Sequence, residues 1–150
     1  MIRRSAIPAA LCLGITIATV LAPGSSADAT SDLAGAVGVA RSASHCPPLQ
    51  ADPLVERVAQ MASANTSDYV NFRTSAVPFT DPMPALATIG YRGSKALLFA
   101  GYGTTPADAL RGVLLEFRQA KPDCTYTVSG INALGDSTGF YVASVVLAAP

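Results

Sequence analysis

The sequence predicts an α+β domain: a three-stranded, largely antiparallel sheet with helices packed on its faces. Three observations predict it. Two segments, at Asp52-Pro53 and Thr105-Pro106, open with an N-cap side chain and a proline and continue with apolar residues at helical spacing. The uninterrupted apolar run 95–100 reads as a buried strand. The segments 124–134 and 140–148, joined by a Gly/Asp/Ser/Thr turn, read as an antiparallel hairpin.

The chain opens on an export signal. Met1-Ile2-Arg3-Arg4 is short and basic, residues 6–22 carry no charge, Pro23 and Gly24 follow, and small residues stand at Ala27 and Ala29. This is the tripartite secretory pattern, and it assigns residues 1–29 to a signal peptide cleaved best after Ala29, with Ala27 as the alternative. A membrane anchor fits less well, because a span needs roughly 20 apolar residues. Pro8 also interrupts the run, and no basic flank follows it. A lipoprotein signal would need a small residue where Leu11 precedes Cys12, and Arg3-Arg4 lacks the Phe-Leu that follows a twin-arginine signal. Residues 30–45, rich in Ala, Gly and Ser, read as a flexible N-terminal arm, and residues 46–150 as the globular domain.

Within that domain Asp52 caps a helix whose Leu54, Val58, Met61, Ala62 and Asn65 share one face, and a further helical turn is expected over 67–72. Pro78, Pro82 and Pro84 make 73–84 a loop, and Gly90 closes one helical turn over 84–89. The strand 95–100 ends at a Gly101-Tyr102-Gly103 turn. Thr105 and Asp108 then form a capping pair for a helix with Leu110, Val113, Leu114 and Phe117 on its apolar stripe, ended by Lys121-Pro122.

Charge and cysteines bound the chemistry. The chain has 10 Lys+Arg against 10 Asp+Glu. With Arg3, Arg4 and Asp28 gone in the leader, the mature chain is about one unit negative, with its cations scattered singly. Nucleic-acid binding, which needs clustered cations, is therefore discounted. The mature chain has no second apolar run of membrane-spanning length. Cys12 leaves with the leader, and Cys46 and Cys124 in an exported chain are expected to pair. Closing the loop 47–123 would stabilise the fold by about 4.5 kcal/mol. The rival, two free thiols or half of a metal site, would need further ligands, and His45 is the sole histidine.

No catalytic, cofactor or metal site emerges from the motifs. There is no G-x-S-x-G elbow. His45 beside Cys46 suggests a thiol–imidazole pair, but a half-cystine with a polar neighbour explains it better. The run 97–106 superficially matches a dinucleotide loop, yet Pro106 stands at the third glycine. Carboxylates are few and unpaired in sequence, against Ca²⁺, Zn²⁺ or glycosidase chemistry. Asn65-Thr66-Ser67 matches a glycosylation sequon on a predicted helix and carries little weight.

Four stretches resemble the CAP superfamily (cysteine-rich secretory, antigen 5 and pathogenesis-related-1 proteins) in its short exported actinobacterial form. D-P-L-V-E-R-V-A-Q-M-A from Asp52 resembles the family's first helix. Gly90-Tyr91 and residues 96–102 resemble the approach to its first strand. T-T-P-A-D-A-L-R-G-V-L-L-E-F from Thr104 is similar to a later helix, and 126–131 followed by 139–147 resembles the closing hairpin. The resemblance implies an α-β-α sandwich with a small, mainly antiparallel three-stranded sheet and one disulfide. It also implies a cavity that in the family usually carries two His and two Glu. Here the corresponding positions fall within 96–98 and 117–121, where neither residue type stands. The implied fold therefore carries over without the metal site.

The expectation is an exported, non-enzymatic protein of the cell envelope or extracellular space that binds a lipid, another apolar ligand or an envelope protein. Tyr91, Phe99, Tyr102 and Tyr126 are the aromatic candidates for a ligand cavity, with ordinary core packing as the competing reading. Two alternatives stand beside it: a secreted hydrolase of envelope polymers or peptides, and an interaction module displaying the Pro-rich loop 77–84.

Overall fold

The computed structural model describes residues 26–150. The element order is α1 (Ser26–Ala43), β1 (Gln50–Ala51), α2 (Pro53–Val70), α3 (Met83–Thr88), β2 (Lys95–Gly103), α4 (Pro106–Gln119), β3 (Val128–Gly135) and β4 (Tyr141–Ala149).

The strands form one four-stranded sheet in the order β1-β3-β4-β2. β4 pairs antiparallel with both β2 and β3, as the predicted hairpin requires, while β1 runs parallel to β3. The expected three-stranded antiparallel sheet is thus corrected to a mixed sheet of four. At two residues, wedged between Pro47-Pro48 and the Asp52 cap, β1 is too short to show any periodicity in the sequence.

β4 lies between two strands and under helices on both faces, so nearly all of it is buried. Ala143, Val145 and Leu147 point to one face, where they meet Phe99 of β2, Leu33 and Val37 of α1, and Ala109 and Val113 of α4. Val146 and Ala148 point to the other, against Val55, Val58 and Ala59 of α2 and Leu86 of α3. The layers are therefore α1 and α4, the sheet, then α2 and α3.

The capped helices form where the sequence places them. Asp52 accepts from the Leu54 and Val55 amides at 2.8 and 3.1 Å. Thr105 Oγ1 accepts from the Asp108 amide at 3.1 Å and donates to Asp108 Oδ2 at 2.7 Å. α2 runs unbroken to Val70, absorbing most of the separate turn expected over 67–72.

Three expectations are corrected. Residues 30–43 are not a loose arm: they are helical, with Leu33, Val37 and Arg41 buried at i, i+4 and i+8. Gly101-Tyr102-Gly103 is not a turn but the end of β2. A Cβ on Gly101 would lie 2.3 Å from the Ala109 carbonyl, so glycine is what lets α4 settle onto the strand. β3 begins only at Val128, because Cys124 and Thr125 form a turn. Of the predicted leader, residues 1–25 lie outside the described residues, and 26–29 form the first turn of α1. No described helix is long and apolar enough to cross a membrane.

Candidate functional site

Two helices that lie on one face of a sheet without touching along their whole length leave a trough between them. Here α1 and α4 form its walls, and β2 and β4 its floor. The trough is an open cleft of about 370 Å³. Leu97, Phe99 and Leu147 supply the floor, Phe117 the α4 wall, and Ala36 and Ala40 the α1 wall. Phe99 and Phe117 meet as a tilted pair with ring centroids 5.2 Å apart. On α1 the lining is mostly small, Ala36, Ala40 and Ala43, with Val39 and Arg41 beside them.

The cleft also has polar lining. Arg118, Lys121 and Asp123 stand at its rim, with Tyr126 beside them. Lys95 is ion-paired to Asp123 and lies 4.7 Å from the centre of the Tyr126 ring. Hydrogen bonds from Lys95 and Thr125 hold the Asp123 carboxyl well below the usual carboxylate range.

Arg41 also lines the cleft. Its guanidinium is buried and donates to three main-chain carbonyls: Nε to Pro47 at 3.1 Å, Nη1 to Asp123 at 2.9 Å and Nη2 to Tyr126 at 2.7 Å. Burial pulls its pKa down, and the neighbouring Asp123 charge works against that. Cys46 and Cys124 form a disulfide next to these carbonyls, with Cα atoms 5.1 Å apart. Cys46 is therefore no nucleophile, and His45 beside it is exposed.

The other flank of α1 borders a second cleft of about 360 Å³. It is lined by Val37, Gly38, Leu49 and Ile131, and Arg41 lines both clefts.

The four aromatic candidates separate. Phe99 and Tyr126 line the main cleft. Tyr91 does not: it packs against the α2/α3 core and donates to the Ala149 carbonyl at 3.3 Å, and burial raises its pKa. Tyr102 does not either, since it stands 60% exposed near the end of β2. Sequence reasoning missed Arg41, Phe117 and the alanines of α1. The spacing Leu33, Val37, Arg41 was the available signal, because the cation occupies the third position of a buried stripe.

A second polar cluster ties the end of α2 to the β3–β4 turn. Asp136 accepts from Ser67 at 2.8 Å and also from Asn71 and Thr138, and Arg73 stands 3.6 Å away. Hydrogen bonds, led by that from Thr138, hold its carboxyl below the ordinary range. Arg73 Nη2 also donates to Ser67 at 2.8 Å, so the cluster satisfies itself and acts as a latch. Among the described residues no group of three or more His, Cys, Asp or Glu is placed to hold a metal ion. Of the positions where the family carries titratable residues, Ala96 and Leu98 pack into the α2/α3 core and Leu97 lines the cleft.

No protein-family model matches the sequence, and no curated protein matches it either. Solved structures do match. An outer surface protein from Borrelia burgdorferi superposes with a TM-score of 0.64 at 13% identity, over 83% of this chain and 95% of that one. A cysteine-rich secretory protein from Staphylococcus aureus subsp. aureus Mu50 gives a TM-score of 0.62 at 11% identity, over 83% of this chain and 40% of that one. An extracellular protein containing an SCP domain, from Bacillus anthracis str. Ames, gives 0.58 at 14% identity, over 83% and 41%. The chain spans about two fifths of the length of the last two. It has the SCP, or CAP, fold.

Proposed function

We propose that this chain is an exported, non-enzymatic CAP-like protein whose cleft between α1 and α4 holds the hydrocarbon chain of an amphiphile, with an anionic head at the Arg118/Lys121 rim. The observation that carries the reading is the cleft itself. Its floor and much of its walls are apolar, it is open to solvent, and its lining includes the exposed cations Arg118 and Lys121. An alkyl chain gains about 0.8 kcal/mol per methylene buried, so even a partly covered chain is held. The leader 1–29 and the disulfide support an extracellular or envelope setting. A thiol hydrolase built on the adjacent His45 and Cys46 is disfavoured, because Cys46 is held in the disulfide.

Incubating the protein with envelope lipid extract, followed by gel filtration and mass spectrometry of what co-elutes, tests the reading. Wild type should retain lipid, and Ala40→Trp, which fills the cleft from the α1 wall, should lose it. Wild-type protein that elutes free of lipid would overturn it.

A further inference from the structure

α2 stops in a hydrogen-bonded turn around its C-cap Asn71. The Phe72 amide donates to the Tyr69 carbonyl at 3.0 Å, and the Arg73 amide to the Asp68 carbonyl at 2.8 Å. This is the Schellman pattern, which puts the residue after the cap in the left-handed region, where glycine is the usual occupant. Here that residue is Phe72, at φ 56°. A bulky side chain is strained in that conformation.

The fold gains no packing from the ring in return, since Phe72 is 94% exposed. The residues on either side of it are pinned. Asn71 donates to the Ser67 carbonyl at 2.8 Å and to Asp136. Arg73 pairs with Asp68 at 2.8 Å and stands 3.6 Å from Asp136. The latch between α2 and the β3–β4 turn therefore fixes the backbone that presents the ring. An aromatic side chain on ordered backbone loses little freedom on docking, which is the property of an interface anchor.

The surroundings select the partner. Arg73 is shared between two carboxylates, so the tip offers no free cation to an anionic lipid surface. One cation against two carboxylates calls instead for an apolar hollow with basic lining. The α1/α4 cleft is such a hollow, with its floor of Leu97, Phe99 and Leu147 and the exposed Arg118 and Lys121. At about 370 Å³ it exceeds the roughly 150 Å³ that encloses a benzene ring. α2 lies across the sheet from the cleft, so the ring of one copy meets the cleft of another.

We infer that Phe72 is a self-association anchor: its ring seats in the α1/α4 cleft of a second copy of this chain, the carboxylates of the tip facing the cations of the cleft. One inserted ring makes a small interface, so the contact is weak and transient. It stands whether or not an amphiphile uses the cleft, and a bound tail would compete with the ring.

Sedimentation equilibrium from about 10 μM to about 1 mM tests the inference. The weight-average mass of wild type should rise with concentration, and Phe72→Gly should weaken the association by about 10-fold or more. Glycine suits the left-handed turn, so the melting temperature of that variant, measured dilute, should not fall. Phe72→p-benzoylphenylalanine then locates the ring. Irradiation should join two copies, with the crosslink on residues 36–40, 97–99 or 117–121. Wild type that stays monomeric throughout, association unchanged in Phe72→Gly, a lower melting temperature in that variant, or crosslinks mapping only elsewhere would each overturn the inference.

Discussion

Arg41 Nη2 donates to the Tyr126 carbonyl at 2.7 Å, across 85 residues of chain. With its bonds to Pro47 and Asp123, this one side chain ties α1 to both segments that the disulfide joins. Arg41→Met would leave three partly buried carbonyls without a donor. The expected loss is about 3 kcal/mol or more. Arg41→Lys keeps the charge but lacks the fork that reaches three acceptors, so it should recover only part of that loss. Urea unfolding of the two variants beside wild type measures both, and a loss below about 1 kcal/mol for Arg41→Met would show that the tie is redundant.

The disulfide acts on the other side of the equilibrium. Joining residues 78 apart restricts the unfolded chain, which the loop-entropy model values at about 4.5 kcal/mol. Cys46→Ser/Cys124→Ser should lower stability by up to that amount. The urea m-value should rise, because the uncrosslinked unfolded chain exposes more surface. The far-UV circular dichroism of the native state should be preserved, since Arg41 still holds the same carbonyls.

Much of this architecture is legible in the sequence, and the rest is hidden for identifiable reasons. Asp52-Pro53 and Thr105-Pro106 with Asp108 announce α2 and α4 because capping is local chemistry. The β3–β4 hairpin is legible from its turn residues. α1 was hidden because only Leu33, Val37 and Arg41 are buried, and two glycines and several alanines between them read as a linker. The end of β2 was hidden because Gly101 and Gly103 look like a turn until α4 is seen lying against them. The cleft joins Ala36, Leu97, Phe117 and Leu147, which no local pattern brings together. That is why two of the four aromatic candidates fall elsewhere.

Gly101 and Gly112 make the contact between β2 and α4, and they should respond differently. A Cβ on Gly101 would meet backbone at 2.3 and 2.7 Å, and backbone cannot yield without moving the helix. Gly101→Ala should therefore cost about 1–3 kcal/mol. On Gly112 the new methyl would lie 3.0 Å from the Gly101 Cα, and the gain in helix propensity of roughly 1 kcal/mol offsets the strain. Gly112→Ala should come out near neutral. Thermal unfolding of the pair checks the order, and equal losses would count against backbone contact as the cause.

Asp123 and Asp136 both have carboxyl pKa values held below the ordinary range, by hydrogen bonds from Lys95 and Thr125 and from Thr138 and Ser67 respectively. A folded-state pKa below the unfolded one contributes stability that is complete above the unfolded value, about 3.9, and is lost as pH falls toward the folded value. Melting temperature should thus be insensitive to these groups from neutral pH down to about 5 and fall below about 4. Asp136→Asn should start lower at pH 7 and show a shallower acid decline. Parallel curves for variant and wild type would show that Asp136 is not part of the acid response.

The rim cations give the proposed ligand a sign. Arg118 and Lys121 line a cleft whose floor is apolar, so an anionic head has cations to meet and a neutral one gains little from them. Arg118→Glu/Lys121→Glu should weaken lauric acid binding by about 10-fold or more, because two attractions at the rim become repulsions. Both side chains are solvent-exposed, so the effect should shrink as salt is raised past about 0.15 M, where the screening length is about 8 Å. Binding of a neutral single-chain amphiphile such as lauryl alcohol should stay within about two-fold of wild type, since the floor of Leu97, Phe99 and Leu147 is untouched. Isothermal titration of both ligands at low and moderate salt separates head from tail. Equal loss for the two would place the defect in the fold of α4 rather than in the charge of its rim.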